Sequence, residues 1–129
     1  MTTPPILRKP KLHFDTEENP SHVTFDDGKD RRRNIPWLHY VEANWDYDEP
    51  DVIRLKIGEW IIVLRGNNLA PLYLAIEKRT LVRVRAQPDM AEDREREMDT
   101  FVTSLRFTEP PAGGIGAKGR KQIELNLGG

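Results

Sequence analysis

The chain has 129 residues, of which 37% are apolar and 32% charged, with a formal net charge of −1; this suits one domain with a modest core and tails. It has no cysteine, which excludes disulfides, thiolate metal centres and a cysteine nucleophile and fits a cytoplasmic protein. No N-terminal apolar run resembles a signal sequence and no segment is long enough to cross a bilayer, so a soluble chain with no membrane partner is expected.

Residues 1–20 carry Pro4, Pro5, Pro10 and Pro20 amid dense charge. They read as an extended N-terminal arm without contacts to the body. A single α+β domain is expected over residues 21–109. Residues 21–25 suit a short strand, ended by Asp26, Asp27 and Gly28, and residues 30–33 form a charged link. Residues 37–45 suit a longer strand. Trp37, His39, Val41, Ala43 and Trp45 form one face, and Leu38, Tyr40, Glu42 and Asn44 the other. The acidic residues Asp46, Asp48, Glu49 and Asp51 turn the chain.

The next stretch is the most informative. Gly58 and Glu59 suit a two-residue hairpin turn with Gly at its first central position. That turn sets Ile57 opposite Trp60, Leu55 opposite Ile62 and Ile53 opposite Leu64, an apolar face that a one-residue slip would destroy. The reverse face sets Val52 opposite Arg65, Arg54 opposite Val63 and Lys56 opposite Ile61. It is mixed. Asn68 then suits a helix N-cap, Pro71 falls in the first turn, and Leu69, Leu72, Tyr73 and Ile76 recur at helical spacing. Lys78 and Arg79 close the helix where cations oppose the dipole. Residues 81–86 follow as a strand, which suggests a right-handed strand–helix–strand crossover.

Residues 89–100 are almost all charge and read as a solvated helix or a loop. Residues 101–107 suit a last strand, with Phe101, Thr103, Leu105 and Phe107 on one face. Residues 110–121 form a flexible linker by composition. Residues 122–127 alternate Ile123, Leu125 and Leu127 and suit a terminal strand.

The candidate sites are weak. Gly114, Gly116 and Gly119 match a dinucleotide-binding pattern literally, but no strand precedes them and no useful helix length follows. The acidic turn lacks the Gly and distal Glu of a calcium loop. His13, His22 and His39 have no partner at metal-binding spacing. Ser21 and His22 should diverge from each other on a strand, so no triad with Asp26 is expected. His39 reads as a packing residue. Gly66, Asn67 and Asn68, with Arg65 beside them, read as turn and capping geometry rather than as an anion site. No catalytic, cofactor or metal-binding residue is expected.

Arg83 and Arg85 share one face of their strand. With Val52, Arg54, Lys56, Ile61, Val63 and Arg65 they form the expected contact surface, an interface or an anion-contacting face. Residues 37–109 hold ten basic and fourteen acidic residues against three and one in residues 110–129, which argues against nucleic-acid binding by the whole body. Arg31, Arg32 and Arg33, with Lys118, Arg120 and Lys121 of the tail, read as solvated charge.

The expected fold is a mostly antiparallel sheet of five or six strands with one principal helix packed on one face. The expected role is a small, non-enzymatic binding or assembly module that self-associates as a homodimer or contacts another protein. The alternative is a nucleic-acid-binding accessory protein using the basic sheet face and tail.

Overall fold

The computed structural model describes residues 9–109. The fold is α+β, with mostly antiparallel pairing and, among the described residues, one α-helix. Its strands are β1 (Phe14–Thr16), β2 (His22–Asp26), β3 (Arg32–Pro36), β4 (Tyr40–Asn44), β5 (Val52–Ile57), β6 (Trp60–Asn67), β7 (Leu81–Arg85) and β8 (Phe101–Thr108), with helix α1 (Ala70–Glu77) between β6 and β7. They form two four-stranded sheets rather than one sheet of five or six strands. The orders are β1-β7-β2-β3 and β4-β5-β6-β8.

The hairpin forms in the register its apolar face demands. Ile57 pairs with Trp60, Leu55 with Ile62 and Ile53 with Leu64. Gly58 takes φ of +60°, as a turn with Gly at the first central position requires. A Cβ there would meet only side-chain carbons at 3.9 Å, so the conformation, not crowding, selects Gly. Gly58→Val should lower stability by about 1 kcal/mol, measured by chemical denaturation.

The expected crossover from β6 to β7 does not form. Both edges of β6 are taken, one by β5 and the other by β8, so no edge is free for β7. Helix α1 carries the chain to the other sheet, where β7 runs parallel to β2. Its inner side buries Leu72, Ala75 and Ile76, with Leu69 just before it. Pro71 lies in the first turn as expected, but the N-cap is Leu69 and its side chain makes no cap bond. Asn68 is left-handed at φ +50° and gives its amide to the Met98 carbonyl instead, at 3.1 Å. The helix ends in a left-handed Arg79, φ +57°. Thr80 N–H donates to the Ala75 carbonyl and Arg79 N–H to the Ile76 carbonyl, at 2.9 and 3.0 Å. These two bonds cap the carbonyls the last turn leaves open.

Residues 37–45 are not one strand. Trp37–His39 is a 3-10 turn, and the register shifts between Tyr40 and Glu42. The turn and the shift put the alternation out of phase. Trp37, Tyr40, Ala43 and Trp45 pack on the core, while His39 is exposed and Val41 is 57% exposed. The buried Trp37 indole donates to the Leu81 carbonyl at 2.9 Å, tying this turn to β7.

Part of the expected N-terminal arm packs on the body. β1 pairs antiparallel with β7, and Leu12 bridges Thr100. Residues 11–17 therefore contact the body. The charged stretch after β7 resolves into two 3-10 turns, Pro88–Glu92 and Arg94–Arg96. The terminal strand expected at 122–127 lies outside the described residues. Both sheets and α1 share one core, including Phe25, Ile53, Leu55, Leu64, Leu72 and Leu81. The sheets join where Ala86 bridges Val102 and Gln87 N–H donates to the Val102 carbonyl at 2.7 Å.

Candidate functional site

The outer face of the β4–β8 sheet follows from the hairpin register. Lys56 stands beside Ile61, Arg54 beside Val63 and Val52 beside Arg65. β8 adds Thr108 next to Ile61, Arg106 next to Val63 and Ser104 next to Arg65. β4 adds Glu42 next to Lys56 and Asn44 next to Arg54. Ile61 and Val63 are half-buried at the centre of this face. Val52, expected to share that exposure, is fully buried.

The acidic turn neutralises much of the face. Arg54 holds Glu49 at 3.0 Å and Arg65 holds Asp51 at 3.3 Å. The hydrogen bond and charge of Arg54 keep the Glu49 carboxyl below the usual range, and Glu49 raises the Arg54 guanidinium in return. Both pairs are about half exposed and contribute little to stability. They matter for what the face can bind. Arg54, Lys56, Arg65 and Arg106 stand against Glu42, Glu49 and Asp51.

Arg83 and Arg85 do not join this face. They lie on β7, in the other sheet. Arg83 stands beside Asp15 and Thr24, and Arg85 beside Asp26, whose carboxylate is 3.8 Å from the Arg85 Nε. The reason is the missing crossover: β7 pairs with β2, so its cations cannot extend the hairpin's row.

Two features escape the sequence pattern. The first is a polar lock at the start of β8. Asp99 and Thr100 are fully buried. Asp99 accepts the Lys11 N–H at 2.9 Å and lies 3.3 Å from His13 Nε2. The Thr100 hydroxyl donates to the Asn68 carbonyl at 2.7 Å, and the Asn67 amide donates to the carbonyls of Glu97 and Asp99. Asn67 and Asn68 thus satisfy backbone carbonyls of the segment that enters β8. The second is an aromatic stack beside β3. The Arg33 guanidinium lies 3.9 Å from the Trp60 ring centre and 5.4 Å from that of Phe107.

The remaining candidates read as structure. Ser21 Oγ lies 2.9 Å from His22 Nδ1 rather than diverging, because Ser21 precedes β2 and escapes its alternation. Asp26 does not complete a triad; it accepts the Gly28 N–H at 2.8 Å and faces Arg85. Asp27 caps its own loop by accepting three backbone N–H groups, from Lys29, Asp30 and Arg31, which hold its carboxyl below the usual range. Burial pushes the Tyr40 phenol up, with Tyr73 and Glu77 adding to it. Among the described residues no three His, Asp or Glu side chains are grouped to hold a metal, and no helix is long and apolar enough to cross a membrane. No family model matches the chain, and no curated protein or solved structure is significantly similar to it.

Proposed function

We propose that the chain is a small, non-enzymatic binding and assembly module that self-associates through the outer face of the β4–β8 sheet. The observation that carries this reading is the half-buried Ile61 and Val63, set between cations already matched by Glu49 and Asp51. An apolar stripe inside a charge-balanced rim suits a protein partner. A second copy brings the same stripe and both signs of charge, as a two-fold contact requires. A polyanion would have to compete with the carboxylates for Arg54 and Arg65. The nucleic-acid reading also loses the row that included Arg83 and Arg85.

Sedimentation at micromolar concentration tests the proposal. The full chain should run as a dimer. Val63→Lys should run as a monomer and keep the circular dichroism spectrum of the folded parent chain. A monomeric parent chain would refute the reading. Salt-dependent retention on a polyanion, lost in Arg106→Glu, would favour nucleic-acid binding instead.

A further inference from the structure

A groove of about 560 Å³ lies between β3 and the Gly58–Glu59 turn. One wall is the outer edge of β3, which pairs with β2 on one side and ends its sheet on the other. Two flanking bonds give the phase of that pairing. Asp27 N–H donates to the Arg31 carbonyl and Trp37 N–H to the Ser21 carbonyl. Backbone bonds alternate along an antiparallel pair, so Arg33 and Ile35 turn theirs toward β2. The N–H and C=O groups of Arg32 and Asn34 then point outward, along an edge that no strand among the described residues covers. Such an edge is a template for an added strand.

The side chains along the edge select what adds. Arg31, Arg32 and Arg33 follow one another, and among the described residues none has a carboxylate within ion-pair distance. Arg32 is exposed. Arg33 projects to the opposite side of the strand, with its guanidinium 3.9 Å from the Trp60 ring centre. Stacking occupies the flat faces of a guanidinium and leaves its in-plane N–H donors for an acceptor. The Arg33 Nε is buried without a hydrogen-bond partner. Glu59 is the one carboxylate lining the groove, against two Arg side chains. Half-buried Trp60 and Pro36 add apolar surface. A row of like charges repels a second basic edge and attracts an acidic one. Phosphate groups could neutralise these cations, but they would leave the outward carbonyls of Arg32 and Asn34 without donors. A peptide backbone satisfies both the N–H and the C=O groups.

We infer that the open edge of β3 takes an extended acidic peptide of a partner protein, added as a fifth strand to this sheet. Its backbone pairs with Arg32 and Asn34. Acids on one side of it meet Arg32, apolar side chains on the other lie against Trp60, and an acid at its end meets the in-plane donors of Arg33. Ile61 and Val63 take no part, so this contact and self-association through the β4–β8 face can fail separately.

The test uses the full chain and a fluorescein-labelled peptide, Glu-Glu-Val-Glu-Val-Glu-Glu, followed by fluorescence anisotropy. The same peptide with Lys in place of Glu is the control. The acidic peptide should bind and the Lys peptide should not. Arg32→Glu changes an exposed side chain and should weaken binding several-fold. Asn34→Pro removes an outward N–H at an edge position, where Pro is tolerated, and should weaken binding as well. In the complex, amide exchange should slow at Arg32 and Asn34 and stay unchanged at Arg33 and Ile35, whose N–H groups already face β2. Absence of binding, equal binding of the Lys peptide, or binding that Arg32→Glu leaves unchanged overturns the proposal. A single-stranded oligonucleotide held more tightly than the acidic peptide, and lost in Arg32→Glu, assigns the cations to phosphate and also overturns it.

Discussion

Gly66→Ala should be the most damaging small substitution in this protein. Gly66 sits where β6 and β8 change register, between the pairs Arg65–Ser104 and Gly66–Val102. A Cβ built there would overlap the Phe101 carbonyl oxygen and lie 2.8 Å from the Val102 Cα. Both are backbone atoms of the neighbouring strand and cannot rotate away. Relief requires β6 and β8 to separate, and the same stretch holds the Asn67 bonds to the chain entering β8. The expected loss is about 3 kcal/mol or more, at the upper end of overpacking effects. That is a large share of the stability of a small domain and lowers the melting temperature by roughly 12 °C or more. Calorimetry checks it, with Gly58→Ala as the control. Gly58 has positive φ but open space, so it should lose only about 1 kcal/mol. Equal losses at the two sites would contradict the steric account.

Asp99→Ala should come second and act on a different element. The Asp99 carboxylate is fully buried. It accepts the Lys11 N–H, faces His13 at 3.3 Å and lies 3.8 Å from an Arg96 guanidinium nitrogen. Truncation leaves the Lys11 N–H without its acceptor and takes the anion from beside Arg96. The cost should be about 3 kcal/mol, the scale for breaking a buried charged hydrogen-bond group. Asp99→Asn keeps an oxygen that accepts and should cost about half as much. The signature is local as well as global. Residues 11–17 reach the body through β1 and the Leu12–Thr100 bridge, so proteolysis there should accelerate before the β5–β6 hairpin is cut. Unchanged cleavage in residues 11–17 would contradict the role assigned to Asp99.

The hairpin was legible because three independent signals agree: a Gly in the turn, an apolar row on one face and a register that satisfies both. Helix α1 was legible from Pro71 and the spacing of Leu69, Leu72 and Ile76. Its N-cap was not, because Asn68 suits both a cap and a left-handed corner, and its bond to Met98 is set by distant chain. The break at Trp37–His39 was hidden because residues 37–45 hold no Gly or Pro to mark a turn inside them. The division into two sheets depends on which edge of β6 is free, and that is decided by β8, more than thirty residues downstream. Asp99 was hidden in a charge run. Its composition signals solvent, and only the arrival of Lys11 and His13 from the other end of the chain makes it a core group. Of the expected contact face, Arg54, Lys56, Ile61, Val63 and Arg65 share one sheet surface because local pairing places them there. Val52 is buried, and Arg83 and Arg85 belong to the other sheet.

Copies of this chain are proposed to meet through the outer face of the β4–β8 sheet. Amide shifts of the full chain, followed from low to high micromolar concentration, address it residue by residue. Ile61, Val63 and Arg106 should move together along one binding curve, with Lys56 following, while Arg83 and Arg85 on the other sheet stay fixed. Fixed signals at Ile61 and Val63 across that range, or a curve centred on β7, would contradict the account.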